Sequence, residues 1–499
     1  MIQIGNIFAL LALLGWPFVV ILMFQKMSEP RALIWSILAG YMFLPQLSAI
    51  NLPLVPPLNK ETIPNLTAFA VCVVHWGRMP RLLPAGWVGR VLMVLFIASP
   101  AVTVVTNLDP IRFGVDTFGT MRLVDPNALE VWGLPGLRIY DSASALVQQV
   151  FLMLPFFLAR EVLKTDEAIR EILYALVIAG AMYAPLMLWE VRFSPQLHTR
   201  LYGFFQHDFG QAMRQGGFRP FVFMPHGLWV AFFAFMVAMA AAARAREAAT
   251  GETGKPLLVV GFGLALVALC KSMGPLSFAL IFVPVVMVLK PRLHLMIAGA
   301  LVSLVIAYPL LRGSGIVPTA AIVEQVAEVS EERAQSLEYR FNNEDLILNH
   351  VADKPWFGWG GWGRFMVYDP STGESLTIVD GQWVITIGNY GWLGYIAMFG
   401  LLALPILALG REARRPLAQG VPVAVSALAL LLAVNVLDLL PNATLIPFTW
   451  LIAGALLGYA EAMRRTTTEA QAEALRQQHG ALVLGLDAPR GKDRPRTLL

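Results

Sequence analysis

Metal-binding and redox signatures are largely missing from this chain. Its seven histidines are scattered over 499 residues, and its only cysteines are Cys72 and Cys270. No HExxH, no CxxC and no close carboxylate pair at ligand spacing occurs, so neither a metal nor any other cofactor is expected. The GxSxG elbow of serine hydrolases is missing as well. Charge is scarce: 14% of residues are charged against 57% hydrophobic, and the mean hydropathy is +0.63. Those values exclude an ordinary soluble domain. Short alternating strands, which a membrane barrel needs, do not appear, and no internal repeat of fixed period is visible. The second absence weighs against inverted-repeat transporters.

What the chain does contain is long apolar runs. A bilayer core of about 30 Å takes about 20 apolar residues per helix, and its backbone must satisfy its own hydrogen bonds there. Runs at about 4–24, 32–50, 62–77, 88–106, 139–160, 168–189, 225–243, 257–270, 276–290, 293–311, 381–409, 418–440 and 445–463 predict 12 to 13 transmembrane helices in an all-α bundle. The third, eighth and ninth are the shortest. The first has no basic residue ahead of it and no small-x-small cleavage site after it, so it reads as a retained helix that starts outside. Both cysteines fall in apolar runs, where buried free thiols are the ordinary state and a disulfide between them is the alternative.

Alternate connections carry the cations: Lys26 and Arg31, Arg78 to Arg90, Arg160 to Arg170, Arg244 to Lys255, Lys290 and Arg292, Arg411 to Arg415, then Arg464 and Arg465. Placing that set in the cytoplasm lets every helix alternate. The net charge of +4 then reflects membrane sidedness, and no nucleic acid partner is implied. The outer face receives the long connections 51–61, 107–138, 190–224 and 312–380, so the working face is the outer one. Residues 1–465 form one transmembrane domain, and 466–499 read as a short helix followed by a disordered cytoplasmic tail.

The outer connections hold the candidate chemistry. Arg192, Arg200, Arg214 and Arg219 crowd one of them, against the usual loop bias. Each has a plain reading as a headgroup contact or a partner of Glu190 or Asp208. Together with Arg333, Arg340 and Arg364 in the last long connection, they suit a diphosphate anion at the membrane surface. Lys271 lies between two apolar runs, where it either snorkels or joins the anion site. His226, behind Pro225 at the start of a helix, is a structural hydrogen-bonder or a catalyst. Gly358 to Gly363 alternates glycine with Trp359 and Trp362. It lacks the βαβ context of a nucleotide loop; a tight turn with interfacial tryptophans, or tryptophan faces stacking on sugars, are the two readings left. Asp380 stands immediately before a long apolar helix. Asp438 and Glu190, the ionisable groups a transporter would use, fall near predicted helix ends.

Three stretches carry a resemblance: Arg219 followed by Phe223, Pro225 and His226; Lys271 to Pro275; and Arg340, Asn349, His350, Lys354 to Gly360 and Asp380 to Trp383, leading to Gly391 to Gly394. Over about residues 200–410 the chain resembles the O-antigen polymerase and O-antigen ligase superfamily of bacterial inner-membrane glycan transferases. The resemblance implies a multi-pass bundle of the lipid-dependent glycosyltransferase (GT-C-like) type with its active face in the periplasm. Its substrate would be an undecaprenyl-diphosphate-linked oligosaccharide, and a chain-length regulator is an expected partner beside the lipid bilayer. Arg219 and Arg340 would hold the diphosphate, with Arg214, Lys271, His226, His350, Arg333, Trp359 and Trp362 around the substrate, and Asp380 would orient or deprotonate the acceptor hydroxyl. Ligases of the family carry a histidine where Asp380 stands here, which favours a polymerase. A ligase acting on lipid A core or protein, and a lipid-linked glycan transporter, are the alternatives.

Overall fold

The computed structural model describes residues 5–51, 56–113, 133–214, 216–248, 254–370, 372–415 and 420–483. Of the described residues, 72% are helical. Its helices are α1 Ile7–Lys26, α2 Glu29–Phe43, α3 Thr62–Trp76, α4 Trp87–Val105, α5 Ile139–Val162, α6 Asp166–Phe193, α7 Leu197–Tyr202, α8 Gly227–Glu247, α9 Gly254–Leu269, α10 Met273–Val288, α11 Pro291–Gly313, α12 Thr319–Val329, α13 Glu331–Val351, α14 Gln382–Glu412, α15 Val423–Asp438 and α16 Pro447–Val483. All thirteen apolar runs fall on helices. Seven of these, α1, α4, α5, α6, α8, α11 and α14, are long and apolar enough to cross a membrane among the described residues. Helices α3, α9, α10 and α15 are apolar but shorter. This is the make-up of an all-α polytopic membrane protein. The last part of the expected tail, residues 484–499, lies outside the described residues.

Helix α8 is central. Every residue from Val230 to Ala243 is buried, the all-round apolar character of a helix surrounded by others, and it packs on α6, α9, α10 and α15. The cationic connections gather at one end of the bundle. There Arg31 pairs with Glu171 (2.6 Å), Arg78 with Glu161 (2.6 Å), Arg160 with Glu461 (3.4 Å) and Arg170 with Glu247 (3.1 Å). Glu247 also accepts from the Ala424 amide at 3.1 Å, and His294 meets Ser426 at 3.0 Å. These contacts fix the ends of α8 and the starts of α6, α11 and α15 at that pole. The start of α8, the end of α11 and the end of α15 therefore share the opposite pole, where the long connections lie. Cys72 and Cys270 are both buried free thiols.

The connection 312–380 is more structured than its polarity suggests. It folds into α12 and α13, and α13 buries Ala334, Asn343, Ile347 and Val351 while most of its other residues are polar. Beyond α13, the turn from Lys354 to Gly360 docks on a break in α14. Gly391 has φ 65° and ψ −167° there, and the freed amides of Trp392 and Leu393 donate to the carbonyls of Pro355 (2.8 Å) and Trp356 (3.3 Å). In return, the amides of Trp359 and Gly360 donate to the carbonyls of Gly388 (2.9 Å) and Asn389 (3.0 Å). Gly358, Gly360 and Gly363 all have positive φ, as the tight-turn reading requires.

Candidate functional site

Arg219 emerges from a two-residue ladder, in which Met213 and Arg214 pair with Phe218 and Gly217. Its side chain lies across the first residue of α8, where a Cβ on Gly227 would sit 2.5 Å from Nε. The guanidinium is buried, 5% exposed. Nη2 donates to Ser272 Oγ at 2.8 Å, while Nε has no partner. Lys271, held at φ 48° in the turn between α9 and α10, brings Nζ over Gly217 and donates to the Arg214 carbonyl at 3.3 Å.

His226 caps α8. Its Nδ1 accepts from the Leu228 amide at 3.1 Å, and Nε2 reaches Gln211 Oε1 at 3.1 Å, an arrangement that assigns the proton to Nε2. Burial first, then Arg219, pushes the imidazole down to about 3, so it is neutral near pH 7 and adds no charge. Burial and Arg214 lower Arg219 to about 10, which still leaves it cationic.

Among the described residues no carboxylate pairs with Arg214, Arg219 or Lys271. Glu190, the expected counter-ion, is 1% exposed. It accepts instead from the backbone amides of Phe221 (2.7 Å), Val222 (2.7 Å) and Leu197 (3.0 Å). Asp208 caps the short turn that follows it through the Gly210 amide, at 2.9 Å. The plain reading of these arginines as partners of Glu190 or Asp208 is therefore not met for Arg214 and Arg219. Three cations thus lie near one another with no carboxylate partner among the described residues.

Arg340 and Asp380 meet at the same pole. Arg340 Nε lies 3.2 Å from Asp380 Oδ2, and both side chains are about half exposed. They rim a cavity of about 150 Å³ that Tyr308, Glu344, Val384 and Pro441 also line. Glu344 stands four residues after Arg340 on α13, so the two share a face. One of its oxygens, Oε2, accepts no hydrogen bond and lies 3.7 Å from Arg312 Nε; Arg312 also pairs with Asp345 at 2.8 Å. Burial pushes the Glu344 carboxyl up to about 7, against the opposing pull of Arg312. Reading 312–380 as a loop concealed this residue. A helical reading would have placed it beside Arg340.

The remaining candidates divide. His350 lies ten residues beyond Arg340, about 15 Å along α13. Its ring stacks on Trp359, with centroids 4.2 Å apart. Lys354 Nζ sits 4.5 Å from the same indole and donates to Asn107 Oδ1 at 2.7 Å. Both ring contacts of Trp359 are thus internal. Trp362 is 81% exposed. Arg333 lies on the exposed surface of α13, two turns before Arg340, and does not line the cavity. Arg364 is buried and donates to the carbonyls of Trp359, Pro135 and Asp109, which makes it a brace for the connection 107–138. The segment 114–132 of that connection lies outside the described residues. Asp438 is tied down by Asn442 (2.9 Å) and Thr444 (2.7 Å).

Arg214, Arg219, Lys271 and His226 thus come together, as do Arg340 and Asp380, and as do His350 and Trp359. No hydrogen bond or ion pair joins the Arg219 cluster to the Arg340 pair among the described residues. No protein-family model matches the chain, and no curated protein matches it.

Proposed function

We propose that this protein is a glycosyltransferase that polymerises polyprenyl-diphosphate-linked oligosaccharide repeat units at the periplasmic face of a bacterial inner membrane. The observation that carries this reading is the cation cluster of buried Arg219, half-buried Lys271 and exposed Arg214, without a carboxylate partner among the described residues, at the pole that also holds the Arg340–Asp380 cavity. A diphosphate is an anion of suitable charge for the cluster, and an undecaprenyl tail would remain in the surrounding bilayer. The acceptor sugar hydroxyl attacks the anomeric carbon of the donor glycan. The new carbon–oxygen bond forms as the bond to the diphosphate breaks, and the diphosphate departs with the electron pair, its charge stabilised by Arg219 and Arg340. The hydroxyl proton passes to a carboxylate: Asp380 orients the acceptor, and Glu344, with a pKa of about 7, is suited to take the proton. A chain-length regulator fits this reading as a partner.

The test is product formation by the purified protein in liposomes supplied with a polyprenyl-diphosphate repeat unit alone. A ladder of longer lipid-linked glycans is expected. Products that form only when lipid A core is added would replace the polymerase with a ligase. Movement of the unit across the bilayer without any new bond would remove both.

A further inference from the structure

The first two turns of α14 divide two cavities. Asp380, Gly381 and Val384 face the one already described, whereas Gln382, Thr386 and Asn389, at positions i, i+4 and i+7, face a larger one of about 320 Å³. Gln148, Gln149, Glu61 and Tyr390 help to close the second. Its wall therefore carries four carboxamides and one carboxylate but no arginine or lysine, so it is unsuited to a diphosphate.

Amides are costly in a membrane helix unless something satisfies them. Gln148 and Gln149 lie about 15 Å along the axis of α5 from its start, and neither side chain makes a hydrogen bond within the described protein. Asn389 Oδ1 is enclosed and also lacks a partner. Carboxamides both donate and accept, which matches the paired hydroxyls of a sugar ring, and Tyr390 supplies an aromatic surface.

We propose that this amide-lined cavity binds an uncharged sugar unit. Resting on the transferase reading above, we assign it as the acceptor subsite, with residues 380–382 forming the ridge over which the acceptor hydroxyl reaches the donor. The probe is the oligosaccharide released by mild acid from the host's lipid-linked pool, titrated into the full-length protein in nanodiscs. Wild-type protein should bind it. Gln149→Leu and Asn389→Leu should each weaken binding by about tenfold, the loss of one or two hydrogen bonds, and Gln148→Trp should block it by filling the space. Arg219→Ala should leave it unchanged. Size-exclusion profile and helical circular dichroism verify that each variant is folded. Binding that survives Gln148→Trp in a folded protein overturns the assignment, as does a wild-type protein that ignores the oligosaccharide. A ladder in liposomes together with either of those results would remove the acceptor subsite alone. Cavity-dependent binding with no ladder would remove the transferase reading and leave the sugar site standing.

Discussion

Arg340 on α13 and Asp380 at the threshold of α14 form an ion pair at 3.2 Å across the mouth of a cavity, each side chain about half exposed. An exposed pair of this kind contributes little to folding, about 0–1 kcal/mol. Its position at a cavity rim gives the two groups a different use, since an incoming anion can compete for Arg340 and free Asp380.

Stability and activity should therefore separate at this pair. Arg340→Ala and Asp380→Ala are each expected to shift thermal unfolding in detergent only slightly while removing most polymer. In a double-mutant cycle the activity losses should be less than additive, because both residues serve one site. Additive losses would mean that the two act independently.

Arg219 presents the opposite case, a buried cation with no carboxylate beside it. Replacing it with alanine removes no ion pair, so the melting temperature should hold or rise. Polymer formation should fall by roughly 10²–10³, as for loss of a transition-state charge donor. Arg219→Lys should recover only part of the activity, since a lysine cannot both reach Ser272 and present a planar fork. A variant that unfolds and also loses activity would make Arg219 structural.

Gly391 should tolerate no side chain. Its φ of 65° and ψ of −167° belong to a region essentially restricted to glycine, and a Cβ there would collide with the Trp356 carbonyl. Gly391→Ala is expected to cost about 1–3 kcal/mol or more, read as a lower melting temperature. Gly410→Ala, in the same helix with nothing near its Cβ, should be neutral or mildly stabilising. Equal melting temperatures for the two variants would remove the strain argument.

The membrane helices were legible because long apolar runs have one physical outcome in a bilayer. The pole that holds the cations was legible too: arginines alternating by connection recur in the ion pairs from Arg31–Glu171 to Arg170–Glu247. Harder to read was anything depending on three-dimensional approach. Glu190 looked like a counter-ion, but its backbone partners at 221 and 222 come from a distant turn. Arg364 looked like a ligand residue, and only the proximity of Pro135 and Asp109 shows it to be a brace. Glu344 was hidden because α13 buries few of its residues, leaving an averaged hydropathy that resembles a loop.

That missed carboxylate sets the expected pH profile. Arg312, Asp345, Arg340, Asp380 and Tyr308 surround Glu344, and burial outweighs the cations to raise its pKa to about 7. A general base works in its deprotonated form, so activity should rise as pH increases through about 7. Going from pH 6 to pH 8 should bring about a tenfold gain, following the fraction ionised. Glu344→Gln cannot ionise; its profile should lose this rise, with activity at pH 8 down by about 10²-fold. Initial rates of ladder formation across pH 5.5 to 9, with wild type and Glu344→Gln measured in parallel, test this. If both proteins show the same rise, the titrating group lies elsewhere, and Glu344 would serve only to hold Arg312 against the cavity wall.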